Sequence, residues 1–154
     1  ITVSVCNLRP ESRGDCHITQ NDPRVPPAIR PNYLSTEADR MVAASSIRHA
    51  RKLMATKRLA EFTPTEIKPG PDVTSDEDIV RAVGDIATTI FHPIGTAKMG
   101  ADDMAVVDDR LKVHGIEGLR VADASVMPTI TSGNTHAPVT MIAEKASDMM
   151  LADR

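Results

Sequence analysis

Five histidines stand in the 154-residue chain, and two of them, His92 and His136, occupy positions where a side chain can do chemistry. His92 lies in "FHPIGTAKMG" and His136 in "TSGNTHAP", each a Gly- and Pro-containing loop beside a predicted helix. Loops at element ends hold a disproportionate share of functional side chains, because the element fixes the loop while leaving its side chains accessible. Imidazole, with an unperturbed pKa of about 6.5, can take up or release a proton near neutral pH. The remaining histidines carry plainer expectations. His17 falls in a predicted strand, His49 on a predicted helix, and His114 in "KVHGIEG", where it shapes a hairpin turn. Spacing alone leaves His92 and His136 open between ordinary loop residues and a catalytic pair.

Other chemistries fit the residues poorly. His92, Asp123 and His136 could be imagined as three zinc ligands, but their separations match no short metal motif such as H-E-x-x-H. "GTAKMG" lacks the Gly-Lys-Ser/Thr ending of a phosphate-binding loop. Ser125 and Ser132 do not sit in G-x-S-x-G, so no nucleophile elbow is present. A net charge of −3 and the lack of a basic run interleaved with aromatics argue against a nucleic-acid surface. No apolar stretch approaches the roughly 20 residues of a membrane helix. Two cysteines, Cys6 and Cys16, make no disulfide framework, and free thiols in a reducing, by default cytoplasmic, compartment are expected.

The elements that must position these loops can be sketched from periodicity and punctuation. Ile1–Leu8 alternates like a strand with Ile1, Val3 and Val5 on one face, and residues 16–19 suit a returning strand. Four prolines in "NDPRVPPAIRPNYLS" predict an extended connection. Thr36 with Asp39 resembles a capping box, predicting a helix to about residue 57 with Ala43, Ile47, Ala50 and Met54 as its apolar stripe. Arg48, Arg51, Lys52, Lys57 and Arg58 are assigned to its solvated face and C-terminal end. Thr74 with Glu77 repeats the capping pattern and predicts a second helix reaching about Ile90, with Asp76, Glu77 and Asp78 in its first turn. "LKVHGIEGLRVADAS" is hairpin-like, and Met141–Leu151 is a final helix with Pro138 near its first position. With only 2% aromatics and no Trp, the core must be built from Val, Ile, Leu, Met and Ala.

Three blocks then resemble a known family. "HPIGTAKMG" (92–100), "VVDDRLKVHGIEGLRVADASVMPT" (106–129) and "SGNTHAPVTMIAEKASDMML" (132–151) are similar, in order, to the C-terminal part of glucose–methanol–choline (GMC) oxidoreductases, choline dehydrogenase-like members in particular. "LRPESRG" (8–14) and "NDP" (21–23) fit the upstream substrate-domain sheet of such enzymes. The resemblance is dense from Phe91 onward.

The resemblance implies FAD as cofactor and a small-molecule alcohol as substrate, with oxygen, a quinone or a cytochrome as electron acceptor. It implies an α+β fold: a fragment of a two-domain flavoenzyme, comprising part of an antiparallel substrate-domain sheet with covering helices and a C-terminal segment that returns to the FAD-binding domain. On that basis residues 1–100, including the HPxGT loop, are assigned to the substrate-binding domain and 101–154 to the FAD-binding domain. The family's N-terminal G-x-G-x-x-G fingerprint is not in this sequence, so the chain is expected to be the later part of a longer polypeptide and to depend on that part for flavin binding. By the same resemblance His92 is the proton-accepting base and His136 a partner that hydrogen-bonds the substrate oxygen. Many relatives carry Asn at the latter position, so His136 places this chain with the two-histidine members. Asp123 and Ala124 are expected along the ribityl–pyrophosphate portion of FAD, although Asp123 also suits a simple helix cap. Gly133, Asn134, Thr135, Ala137 and Pro138, with His136, form a helix start expected at the flavin's pyrimidine edge. Unbonded N–H groups and the helix dipole there favour the negative charge of a reduced flavin. Two alternatives remain: a hydroxynitrile lyase of the same family, and a non-catalytic packing module.

Overall fold

In the computed structural model, which describes residues 1–153, the chain divides into two compact units, Ile1–Thr88 and Thr89–Arg154. The division falls before the HPIGT loop. The loop therefore lies in the second unit.

The first unit carries a two-stranded antiparallel sheet and three helices. Strand β1 (Asp15–His17) pairs with β2 (Ala28–Arg30) in the register Asp15↔Arg30, Cys16↔Ile29, His17↔Ala28. The partner comes from within the proline-rich stretch, which the sequence predicts to be an extended connection. Ala28–Arg30 fits between Pro27 and Pro31, so no proline has to donate to the ladder. Gly14 precedes β1 because a side chain would not fit: a Cβ there would lie 2.0 Å from the carbonyl oxygen of Arg30. The expected strand over residues 1–8 does not form. Its alternation is real, but a strand needs a neighbour for its N–H and C=O groups, and no described residue pairs with it. Cys6 and Cys16 are free and exposed.

Helix α1 (Glu37–Met54) begins as the sequence predicts, with the Thr36 side chain accepting from the N–H of Asp39 and Glu37 and Asp39 in the first turn. It stops at Ala55, and Thr56 turns extended before a short helix α2 (Lys57–Ala60) that periodicity did not foretell. Helix α3 (Asp76–Ile86) is capped by Ser75, which accepts from the N–H of Asp78; the neighbouring Thr74 had been expected in that role. It ends at Ile86, four residues short of Ile90, and at Ala87 the backbone turns extended ahead of the β-branched run Thr88, Thr89 and Ile90. Helices α1 and α3 pack together, burying Ala44 and Ile79. Ala43, Ile47, Ala50 and Met54 are half-buried.

Two of the arginines expected on a solvated face hold the unit together instead. The Arg51 guanidinium meets both carboxylate oxygens of Glu66 (2.9 and 2.8 Å) and donates to the carbonyls of Val73 and Gly70. Arg48 reaches Asp76 and the carbonyl of Thr74 at the start of α3. Lys52, Lys57 and Arg58 are exposed as expected.

Asp39 does more than the capping pattern suggested. Its carboxylate is buried and accepts from the Asn7 amide, the N–H groups of Glu11 and Ser12, and the Ser12 hydroxyl. Burial alone would raise its pKa, but these donors outweigh burial and hold the carboxyl below its ordinary range.

The second unit gathers all three motif blocks around one core of Val107, Leu111, Val126, Met127, Ile142 and Ala146. Residues 106–121 fold back as a hairpin held by isolated bridges (Val107↔Val113 and Lys112↔Arg120), with Gly115 and Gly118 at positive φ in its turns. His114, expected to shape that turn, bonds through Nε2 to the Gly100 carbonyl at 3.0 Å, tying the hairpin to the first block. Helix α4 (His136–Ala152) starts five residues before the expected Met141. Pro138 is its third residue, a position that has no intrahelical N–H bond to lose. At the far end of α4, Asp153 gathers Arg110 (2.7 Å), Lys112 (2.8 Å) and Arg120 from the hairpin. Their hydrogen bonds, Lys112 and Arg120 first, hold its carboxyl well below the usual range. They also offset an acidic group at a helix C-terminus, where the dipole disfavours it.

Candidate active site

The site assembles in the second unit from the loop 92–100, the short 3-10 turn Ala124–Val126 and the start of α4. Main-chain bonds fasten the first two: Ala97 N–H to the Ser125 carbonyl (3.0 Å) and Met99 N–H to the Val126 carbonyl (2.8 Å). Gly95, at φ 85°, lies against the carbonyl of Met127. Ile94 and Met99 pack against the core, so the loop bearing His92 is anchored beneath.

His92 is half-buried, and its Nδ1 lies 3.1 Å from the hydroxyl of Thr135, 43 residues away. Among the described residues its Nε2 has no partner. Thr135 is buried, and its neighbour His136 opens α4 with an exposed ring. The structure thus joins His92 to the residue preceding His136.

The start of α4 is unusual in what it leaves open. Thr135 occupies the N-cap position, but its backbone is helical (φ −88°, ψ −2°) and its side chain makes no capping bond. An N-cap normally takes extended angles so that its oxygen meets the N–H two or three residues on. Thr135 turns its hydroxyl to His92 instead, forgoing a bond worth about 1 kcal/mol. No acidic residue occupies the first turn. The first N–H groups of the helix, which have no intrahelical acceptor, therefore keep their donor capacity and the positive end of the dipole.

Gly133 has no fold-level need to be glycine. A Cβ there would meet only the Thr131 carbonyl, at an ordinary 3.5 Å, and its φ is not in the left-handed region. Empty space beside uncapped main-chain donors fits an electron-rich ligand edge. Two non-glycine residues take positive φ on either side of the site, Phe91 (65°) immediately before His92 and Ser132 (24°) immediately before Gly133. Such outliers each cost on the order of 1–3 kcal/mol and collect at functional sites.

The other expected residues are placed as follows. Asn134 and Ala137 are exposed and Pro138 half-buried. Asp123 caps the 3-10 turn, its carboxylate accepting from the Ser125 N–H at 2.8 Å, and Ala124 packs on the core. No cluster of three His, Cys, Asp or Glu among the described residues is arranged to hold a metal. Sequence patterns missed the engagement of Thr135 with His92; a Ser or Thr before a helix reads simply as a cap.

Residues 10–143 match the family model of the GMC oxidoreductases. The chain belongs to the GMC oxidoreductase family. This family is FAD-dependent. Over 144 residues the chain is 47% identical to an oxygen-dependent choline dehydrogenase of Serratia proteamaculans, covering 94% of the chain and 26% of that protein. It is 42% identical to an alcohol dehydrogenase [acceptor] of Pseudomonas putida, covering 97% of the chain and 27% of the relative. An FAD-dependent oxidoreductase from Chaetomium thermophilum superposes with a TM-score of 0.88 at 32% identity, over 95% of this chain and 26% of the other. The chain thus spans about a quarter of the length of these GMC relatives.

Proposed function

We propose that this chain is the C-terminal portion of an FAD-dependent enzyme that oxidises an alcohol, with choline-like alcohols the leading substrate class. The carrying observation is the Nε2 of His92, without a partner among the described residues, with Nδ1 held by Thr135 beside the uncapped start of α4. Residues 1–88 would contribute to the substrate-binding domain, and the second unit would complete the FAD-binding domain.

Oxidising an alcohol to a carbonyl removes a hydroxyl proton and a carbon-bound hydride. In this reading the hydroxyl proton passes to Nε2 of His92, which has no partner among the described residues. His136 hydrogen-bonds the substrate oxygen and keeps it in line with that nitrogen. Bound FAD would supply the hydride acceptor. The main-chain donors at His136 and Ala137, with the helix dipole, would stabilise negative charge at the edge facing them. Gly133 leaves room for that edge, and Asn134, Thr135, Pro138, Asp123 and Ala124 would line the same cofactor.

The deciding test uses the full-length protein under anaerobic conditions. Alcohol should bleach the flavin absorbance, and His92→Ala should slow bleaching by about 10²–10⁴-fold. An intact bleaching rate in that variant would remove His92 as the base. Failure of any alcohol to reduce the flavin would favour a non-redox use of the site.

A further inference from the structure

We propose that Thr135 is a positioning residue which holds His92 in the tautomer that carries its proton on Nδ1, leaving Nε2 as the proton acceptor. This rests on the assignment of His92 as base. The observation behind it is a hydroxyl in an unexpected place. Thr135 stands at the N-cap, where Thr36 and Ser75 turn their oxygens to their own helices; both have extended backbones, with ψ of 153°. Thr135 has ψ of −2°, and its oxygen lies 3.1 Å from Nδ1 of His92. It is 7% exposed, so water is a poor substitute for it at Nδ1.

A neutral imidazole carries one proton, and the partner of one ring nitrogen decides the state of the other. If Nδ1–H donates to the Thr135 oxygen, Nε2 presents a lone pair. After Nε2 takes up a proton the ring is cationic, and its Nδ1–H bond to the same oxygen becomes charge-assisted and stronger. The contact therefore favours the protonated product over the neutral ground state. It also fixes the ring plane, because Thr135 is buried at the foot of α4 and His92 sits in a loop pinned through Ala97 and Met99.

Two substitutions separate a hydrogen-bonding role from a packing role. Thr135→Val preserves shape and removes the hydroxyl; Thr135→Ser keeps the hydroxyl and removes a methyl group. Both are made in the full-length FAD-loaded enzyme, with flavin content checked, and alcohol-driven flavin reduction is measured by anaerobic stopped flow. Thr135→Val should slow the limiting reduction rate by about ten- to a hundredfold, a part of what a positioned base supplies, with little change in the alcohol concentration giving half-maximal rate. Thr135→Ser should stay within a few-fold of the parent. The opposite order, valine active and serine impaired, assigns Thr135 to packing and overturns the proposal. Imidazole nitrogen shifts of histidine-labelled enzyme give a second readout. The parent should show His92 protonated at Nδ1, and Thr135→Val should shift it toward the other tautomer. A parent protonated at Nε2 overturns the proposal whatever the rates. His92→Ala serves as control for the base assignment itself. If it retains alcohol-driven reduction, that assignment fails while the nitrogen shifts still decide the tautomer. If it loses reduction and Thr135→Val does not, only the role of Thr135 falls.

Discussion

Helices α1 and α4 begin in opposite ways. At the start of α1 the Thr36 oxygen takes the N–H of Asp39, two acids sit in the first turn, and Asp39 gathers four further donors from residues 7–12. The cap and the buried carboxylate there find their partners within their own unit. At the start of α4 the N-cap threonine faces a histidine, the first turn has no acid, and the nearest glycine leaves space unused. The first arrangement spends its polar groups on folding, and the second holds donor capacity in reserve. A helix start that satisfies itself stabilises the protein; one that does not is available to a ligand.

The contrast can be broken most forcefully at His92. In the full-length enzyme His92→Ala should lower alcohol turnover by about 10²–10⁴-fold with little loss of stability. On the proposed reading His136→Asn should cost far less, since an amide could still donate a hydrogen bond to the substrate oxygen. Equal and mild effects would reassign the base. Asp39→Ala should do the reverse. Stranding several part-buried donors and opening the site of a buried carboxylate should lower unfolding stability by about 1–3 kcal/mol, read from a shifted denaturant midpoint, with flavin chemistry preserved in the folded fraction.

The two glycines sharpen the comparison. Gly14→Ala would force a Cβ to 2.0 Å from a carbonyl and should destabilise by about 1–3 kcal/mol. Gly133→Ala meets only an ordinary contact, so its thermal midpoint should barely move. Its flavin affinity should fall, measured by release of FAD on dilution. Equal stability losses would show that Gly133 serves the fold.

The smallest effect is a pH dependence. Asp39 and Glu66 both have carboxyls held below their ordinary range, Asp39 by donors that outweigh its burial and Glu66 chiefly by its bond to Arg51. A depressed folded pKa contributes stability that is full above the unfolded value, about 4, and fades as pH falls through the folded value. Stability should therefore decline below about pH 4, and Asp39→Asn should flatten that decline in chemical-denaturation curves.

What the sequence determined by itself was local or motif-borne. The α1 cap lies within three residues of its partner, so Thr36 and Asp39 announce the helix; the same holds for α3, apart from a shift of one residue from Thr74 to Ser75. The three ordered blocks carried the family, and the loops around His92 and His136 marked themselves by Gly and Pro. The fate of residues 1–8 was not legible, because alternation records a capacity to pair and not the presence of a partner. Nor was β2, hidden among prolines that flank but do not enter it. Tertiary structure alone decided that Asp39 would anchor residues 7–12, that Arg48 and Arg51 would bind across loops, and that Thr135 would leave its own helix for His92, 43 residues distant. A hydrogen bond leaves a sequence signature only when chain geometry fixes the spacing of its partners. Between distant residues that spacing is set by how the intervening core packs, and no local pattern encodes it.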